Sequence, residues 1–490
     1  MGVLAIDAGT TGVTALLVAG DGRVVARGYQ EFQQHFPEPG RVEHQPEEIW
    51  QAVLHACREA LARTSERPTA VGITNQRETA VLWHRRTLSS PCRAIVWQDR
   101  RSAAVCARLA EAGHEPRVAE LTGLRLDPYF TATKLAWLAE HAKDTWREVE
   151  AGHVAVGTID AYLIARMTAG REHVTDASNA SRTLLFDIVR GAWSPELCGL
   201  FGVPEEALPR VVPSYGEVAR TDPSVFLGLD LPIAGIAGDQ QAALFGQACH
   251  APGDVKCTYG TGSFVLINTG AQPVRSSAGL LTTVAWKAPD GSLVYALEGA
   301  IFVTGAAVQW LRDGLGVIGA AAETEAIART VPDSGGVVFV PALTGLGAPH
   351  WDPTARGTIL GITRGTARAH VVRATLEAIA YEVRDVVDVM ASDASLDLRT
   401  LKVDGGASEN NLLCRLQADQ LGVAVERPTV SDTTALGAAF LAGLGTGVWS
   451  STEQLAATWR LDARFEPGDR DDAGYDRWRL AVEKAKGWAV

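Results

Sequence analysis

An aspartate or tyrosine at the end of an apolar strand, followed by glycines and threonines, is a pattern this sequence uses more than once. Asp7-Ala8-Gly9-Thr10-Thr11-Gly12 follows Val3-Leu4-Ala5-Ile6. Glycines in such a turn expose bare backbone N–H groups, and Thr10 and Thr11 add hydroxyls, so Thr10, Thr11 and Gly12 present donors for phosphate oxygens. Asp7 could orient a Mg2+ ion, usually through water. The same residues also suit an ordinary hairpin turn in which Asp and Thr satisfy nearby backbone groups. Tyr259-Gly260-Thr261-Gly262 offers the same geometry in the other half of the chain. Two such turns facing each other would clamp a triphosphate from both sides. Val403-Asp404-Gly405-Gly406-Ala407 leads into a helix containing Asn410. Its glycines would let a flat ligand approach the backbone beside a helix start that favours polar or anionic groups, or they serve a turn that needs positive φ. In Ile236-Ala237-Gly238-Asp239-Gln240-Gln241 a strand ends and a helix begins at Asp239. That aspartate is either a helix cap or a general base able to take a hydroxyl proton. Arg77-Glu78, with Trp97 and Tyr129, combines a forked donor, an acceptor and two aromatic faces, which is how a small polyol would be held. By residue type alone the same set suits an exposed ion pair and two core aromatics.

Several classes of function are excluded. Glycine makes up 49 of 490 residues, and the clusters above read as tight loops. Only seven of the 45 basic residues are lysines, and none follows a glycine, which excludes a Walker-type phosphate loop. Gly314 to Gly319 fits G-x-G-x-x-G but follows a helical stretch, Val308 to Arg312, so the dinucleotide context is missing. The net charge of −12 repels phosphate backbones and argues against nucleic acid as a bulk partner. The seven cysteines are odd in number and form no C-x-x-C pair, as expected of reduced thiols in a cytoplasmic protein. No H-E-x-x-H or Cys/His cluster supports a zinc site. Asp7 breaks any signal-peptide core. The longest uncharged stretch, Thr433 to Thr452, holds four glycines and reads as a buried helix and loop, so no integral membrane contact is expected.

The elements that must position these residues follow from periodicity. Val13 to Ala19 and Arg23 to Gly28 continue the first strand as a β-meander. A helix starts at Pro46, with Ile49, Val53, Cys57 and Leu61 on one face. Residues 70–83 read as a hairpin turning at Asn75-Gln76-Arg77-Glu78. Strands and helices then alternate, the α/β pattern. Near residue 255 the opening arrangement returns, with strands Val255 to Tyr259 and Phe264 to Asn268 around the second turn. One unit per half predicts two lobes, 1–247 and 248–490, with a cleft between them; coincidence of two similar turns is the alternative. A long helix from Ala369 to Met390 packs Val372, Leu376, Ile379, Val383, Val386 and Met390 on a core.

Several longer segments resemble the FGGY carbohydrate kinase family, and within it the branch that phosphorylates glycerol. They are Ile73 to Thr79, Ala94 to Gln98, Gly235 to Gly246 and Thr258 to Gly262. Two further signatures run from Tyr129-Phe130-Thr131 through Lys134 and Trp137 to His141, and from Gly357 through His370 to Glu377. The resemblance covers residues 3 to about 485. It implies an actin/hexokinase-type fold of two ribonuclease-H-like lobes, and MgATP-dependent phosphorylation of glycerol in the cleft. Another small polyol or a ketose is the alternative substrate. Carried over position by position, Arg77, Glu78, Trp97, Tyr129, Asp239, Gln240 and Phe264 would hold glycerol. Thr10, Thr11, Gly12, Thr261, Gly305, Gln309, Gly406 and Asn410 would hold ATP, Asp7 and Asp239 would serve the Mg2+, and Asp239 would be the base. A homo-oligomer, dimer or tetramer, is the expected assembly. Departures are informative. Some relatives have arginine where this chain has Thr14, so one phosphate contact must differ. Residues 222–230 lack the basic loop that binds fructose 1,6-bisphosphate in those relatives, so no such binding is expected. No histidine lies between Val174 and Gln247 to be phosphorylated in a regulatory step.

Overall fold

The structure, a computed structural model, describes residues 2–489. Val3, Leu4, Ala5 and Ile6 are wholly buried. Strand β1 (Gly2–Ala8) is therefore covered on both faces, which is why it reads as an unbroken apolar run. It pairs antiparallel with β2 (Gly12–Ala19), and β2 with β3 (Val24–Glu31). On its other side β1 runs parallel to β4 (Pro68–Asn75). The sheet is completed by β5 (Tyr215–Arg220) and β6 (Pro232–Gly238), in the order β5-β6-β4-β1-β2-β3. The second sheet is built from β7 (Val255–Tyr259), β8 (Ser263–Gly270), β9 (Leu281–Lys287), β10 (Leu293–Ile301), β11 (Thr400–Asp404), β12 (Ala424–Pro428) and β13 (Leu461–Phe465). Its order is β9-β10-β8-β7-β11-β12-β13. Without the edge strands β5, β9 and β13, both sheets have the same five-strand order: three antiparallel strands, then two parallel ones. The two lobes expected from the paired turns are present with the ribonuclease-H-like architecture that the resemblance implies, a mixed sheet in each lobe.

Helix α1 (Pro46–Ala62) begins at its proline and buries Ile49, Val53 and Cys57 against the first sheet. Its counterpart on the second sheet is the long helix Arg368–Ala394, which buries Val372, Leu376, Ile379, Val383, Val386 and Met390. Two helices fill the space between the sheets, α2 (Asp239–Gly246) and the apolar helix Thr433–Gly445. The second is the buried helix expected within Thr433 to Thr452. Among the described residues no helix is long and apolar enough to cross a membrane.

The expected hairpin over residues 70–83 does not form. Strand β4 lies between β1 and β6, so neither of its edges is free for a hairpin partner. Val81–His84 pairs instead with Val154–Gly157. This releases residues 76–80 to turn into the cleft.

The register sets out the site. Asp7 lies opposite Thr14 and Thr74, and Asn75 opposite Ala8 and Gly238. The ends of β1, β4 and β6 are level, so Asp7, Gln76-Arg77-Glu78 and Asp239 emerge from one edge of the first sheet. In the second sheet Thr258 lies opposite Asp404, which brings Gly260–Gly262 and Gly405–Gly406 to one edge in the same way.

Candidate active site

Each glycine–threonine turn closes on itself. Gly9 donates to the Gly12 carbonyl at 3.0 Å, and Gly260 to the Gly262 carbonyl at 2.8 Å. A Cβ on Gly12 would lie 2.8 Å from the Gln30 carbonyl oxygen, and one on Gly262 2.2 Å from that of Ile301. In both sheets, then, the last glycine of the turn lets the second strand start hard against the third. Thr11 and Thr261 are exposed at the turns, while Thr10 is half-buried. The Thr10 hydroxyl accepts from Trp97 Nε1 at 3.0 Å, and Gln76 Nε2 donates to the Gly9 carbonyl at 3.0 Å. The first turn is therefore gripped by two side chains from the Arg77 side of the cleft.

On that side the structure gathers the expected residues. Arg77 is 2 % exposed. Its Nε lies 3.0 Å from Asp239 Oδ1, and its guanidinium sits over Phe264 at 5.9 Å. Trp97 packs edge-on against Tyr129 at 5.6 Å and Phe264 at 6.5 Å. Phe264 comes from the second sheet, so the two lobes share this pocket. Arg77 and Glu78 are not an exposed pair: both are buried, 3.7 Å apart, and each has a nearer partner. Arg77 donates to Glu298 at 2.5 and 3.0 Å, and Arg182 donates to Glu78 at 2.7 Å and to Glu298 at 2.9 Å. Burial alone would raise the Glu298 carboxyl, but Arg182 and Arg77 outweigh it and hold it down at about 2. Glu78 adopts a left-handed backbone with φ of 60°, a strained state for glutamate that the surrounding contacts sustain.

Asp239 is the first residue of α2, and Gly238 occupies the cap position, so the aspartate does not serve as the cap. One carboxylate oxygen accepts from the Gln240 backbone N–H at 2.7 Å. Its side chain keeps 29 % exposure. Burial raises its pKa, opposed mainly by Arg77. Gln240 is buried, and its Oε1 accepts from Lys256 Nζ at 2.5 Å, which leaves its amide nitrogen for a ligand. Asp7 is pushed up to about 8, first by burial and then by the Asp239 and Asp432 carboxylates. A divalent cation would relieve this concentration of negative charge. Among the described residues no group of three or more His, Cys, Asp or Glu could hold a metal. The donor set fits Mg2+, which takes one or two carboxylates and completes its shell with water and phosphate oxygens.

At the matching edge of the second sheet, Gly405 has φ of 84°, and a Cβ there would lie 2.4 Å from the Tyr259 carbonyl oxygen. Gly406 is exposed, with nothing within 4 Å of a built Cβ, so its face is open to a ligand. Asn410 caps the helix Asn411–Leu421 by accepting from Leu413 N–H and donates to Thr324 at 3.1 Å, so it lies before that helix and not within it. Gly305 starts the helix Gly305–Asp313 with its N–H on the Gly260 carbonyl at 3.0 Å, and Gln309 is exposed on that helix. The Gly314–Gly319 motif follows this helix as a loop, as its context predicted. Residues 222–230 carry no basic residue, and Asp222 and Asp230 pair with Arg171 and Arg220 from outside the stretch. The seven cysteines are all free.

Sequence reading missed Arg182, Glu298 and Lys256, all buried in the site. A signal existed for Glu298 and Lys256: each is a lone charge in an otherwise apolar strand, and such residues stay buried only when paired. Arg182 carried no comparable pattern.

Mirrored sheets with glycine–threonine turns at one edge, and a polar pocket shared across the cleft, define a two-lobed enzyme of the actin/hexokinase type. The known relatives of the sequence narrow this further. The N-terminal domain of the FGGY family of carbohydrate kinases matches residues 2–246, and its C-terminal domain residues 255–446. A protein of Symbiobacterium thermophilum named glycerol kinase is 54 % identical, covering 100 % of this chain and 99 % of its own. Another of that name from Thermotoga maritima, glycerol kinase 2, is 51 % identical over 99 % of both chains. The crystal structure of Plasmodium falciparum glycerol kinase with ADP superposes with a TM-score of 0.92 at 34 % identity, over 99 % of this chain and 98 % of that one. The chain belongs to the FGGY family of carbohydrate kinases.

Proposed function

We propose that the protein transfers the γ-phosphoryl group of ATP to glycerol, giving sn-glycerol 3-phosphate and ADP. The observation that carries this reading is the cluster in which Arg77 meets Asp239, Tyr129 and Phe264 while Trp97 packs on both rings, with Glu78 beside Arg77. Its polar groups match hydroxyls, its aromatic faces match a short carbon chain, and relatives named glycerol kinase align over the whole chain. In this reading the lobe of residues 1–247 carries most of the glycerol-holding residues and the first phosphate turn, and the lobe of residues 248–490 carries the second phosphate turn and the adenosine site.

In this reading Arg77 donates to glycerol hydroxyls, Glu78 accepts from them, and the aromatic faces cover the carbon chain, with the free amide nitrogen of Gln240 as a further donor. Asp239 accepts the proton of the attacking hydroxyl. That hydroxyl oxygen forms a bond to the γ-phosphorus while the bond to the β,γ-bridging oxygen breaks, and ADP leaves with that oxygen. The raised pKa of Asp239 makes it a stronger proton acceptor than an ordinary aspartate, and the nearby Arg77 keeps its ionised form accessible. Thr10, Thr11, Gly12 and Thr261 offer hydroxyls and backbone N–H groups to the phosphates. Gly305, Gln309, Gly406 and Asn410 line the nucleoside side. Mg2+, held through Asp7 and Asp239 with water, would neutralise phosphate charge. The protein would act in the cytoplasm as a homo-oligomer.

ADP release on a panel of glycerol, pentuloses and hexonates tests the proposal. Glycerol should give the highest kcat/KM. A higher value for a pentulose or hexonate would overturn the assignment.

A further inference from the structure

Two of the four ions at the inner end of the pocket, Arg182 and Glu298, have no part in the reading above. Both have no measurable exposure. Burying ions is costly and is offset only by close, well-oriented partners, so such groups are seldom neutral ornaments. The hydrogens of Arg77 show what Glu298 does. One Nη1 hydrogen goes to Glu298 Oε2 at 2.5 Å and the other to Gln241 Oε1 at 3.2 Å. One Nη2 hydrogen goes to Glu298 Oε1 at 3.0 Å. What remains is the other edge of the guanidinium. There Nη2 reaches Tyr129 at a long 3.4 Å, and Nε faces Asp239 without an aligned acceptor. Arg182 treats Glu78 in the same way: its Nε takes Oε1 at 2.7 Å and leaves Oε2. Glu298 stands on β10 of the second sheet, while Arg77, Glu78 and Arg182 belong to the first lobe, so the brace crosses the cleft.

We propose that Glu298 and Arg182 are positioning residues for the acceptor alcohol. They occupy the far edges of Arg77 and Glu78, so that the near edges face the substrate hydroxyls. The inference rests on the glycerol reading and deepens it. Neither residue touches the phosphates or the proton being transferred, so the effect of losing either should fall on the alcohol and not on ATP.

The test compares wild type with Glu298→Gln and Arg182→Lys. It measures KM for glycerol, KM for ATP, kcat, and the slow hydrolysis of ATP with no alcohol present. Glycerol KM should rise about tenfold or more in both variants, as expected when ground-state binding is lost. ATP KM and alcohol-independent hydrolysis should stay within about twofold of wild type. Water needs no holding by Arg77 and Glu78, whereas general damage to the fold would lower both reactions together. A folded Glu298→Gln variant with wild-type glycerol KM overturns the inference, and so does an equal fall in phosphorylation and hydrolysis. If Glu298→Gln does not fold, Glu298→Asp keeps the charge but withdraws it by one methylene. An unchanged glycerol KM there overturns the inference as well. A wild-type protein that turns over a pentulose but not glycerol overturns the parent reading instead.

Discussion

Replacing Gly437 by alanine would put one methyl group where two helix backbones touch. Gly437 lies in the helix Thr433–Gly445, and a Cβ there would sit 1.8 Å from the Ala242 carbonyl oxygen of α2. Real Cβ atoms do not come within 3.0 Å of such an atom, so the helices must part by more than 1 Å. The obstacle is backbone and cannot rotate away, so the cost belongs at the upper end for overpacking, about 3 kcal/mol. Alanine returns about 1 kcal/mol in helix propensity. The net loss is about 2 kcal/mol, which for lobes of this size lowers Tm by roughly 4–8 °C. Activity should suffer more than stability, because Asp239 is the first residue of α2 and Ala242 lies one turn further on. A shift of about 1 Å at a reacting group can cost on the order of a hundredfold, so kcat at 25 °C should fall about ten- to a hundredfold while the protein remains folded. Gly199→Ala is the matched control: this residue is exposed in the helix Pro195–Phe201, with nothing within 4 Å of its built Cβ. It should leave kcat unchanged and raise Tm slightly. Thermal melts and steady-state kinetics on both variants decide the matter. An unchanged Tm and kcat in Gly437→Ala would refute the backbone-contact argument.

Three further outcomes are expected. Asp239→Asn should lower kcat by about 10²–10⁴ while glycerol and ATP still bind, as read by calorimetry; near-normal turnover would remove Asp239 from the base role. Thr10→Val removes the hydroxyl that accepts from Trp97 Nε1. It should weaken glycerol and ATP binding together, whereas a change confined to ATP would show that this bond does not couple the two sides. His44, His173 and His250 are each held down at about 4, first by burial, against an ordinary 6.5. The unfolded chain therefore binds more protons than the native one between about pH 4 and 6.5, so stability is full above 6.5 and falls as pH drops through that window. Tm should decline from pH 7 to pH 5, and a flat profile would contradict the burial of these rings.

The Arg77 side of the site was legible because its residues sit at strand ends, where punctuation is strong. Asp7, Gln76-Arg77-Glu78 and Asp239 each follow an apolar run, and level parallel strands bring such ends together. The relation between Arg77 and Glu78 was not legible. Adjacent opposite charges suggest a pair, yet the preferred partners are Glu298 and Arg182, 221 and 104 residues away. Those partners are set by lobe packing, which no local spacing encodes. The hairpin error at residues 70–83 has a related cause. Two apolar runs with a polar link look alike whether they pair with each other or with distant strands, and only the occupied edges of β4 decide.

The surplus of glycine shows how function and packing share one residue type here. Read as loops, the clusters at the two turns and at Gly405–Gly406 account for backbone presented to a ligand. Another group lies within strands and helices. Built Cβ atoms would lie 2.1 Å from Ala438 O at Gly72, 2.4 Å from Ala442 N at Gly235 and 2.1 Å from Thr433 O at Gly246. With Gly437 these form a track of bare backbone along which the helix Thr433–Gly445 seats on β4, β6 and α2. That helix comes from the second half of the sequence and packs on the first sheet, so the halves are fastened at a place where no side chain intervenes. On α2 the fastening runs from Ala242, one turn from Asp239, to Gly246 at the far end. A methyl group at Gly235, Gly246 or Gly437 pushes on α2 or on the strand that leads into it, so close packing between the lobes and the position of Asp239 are one constraint on the sequence.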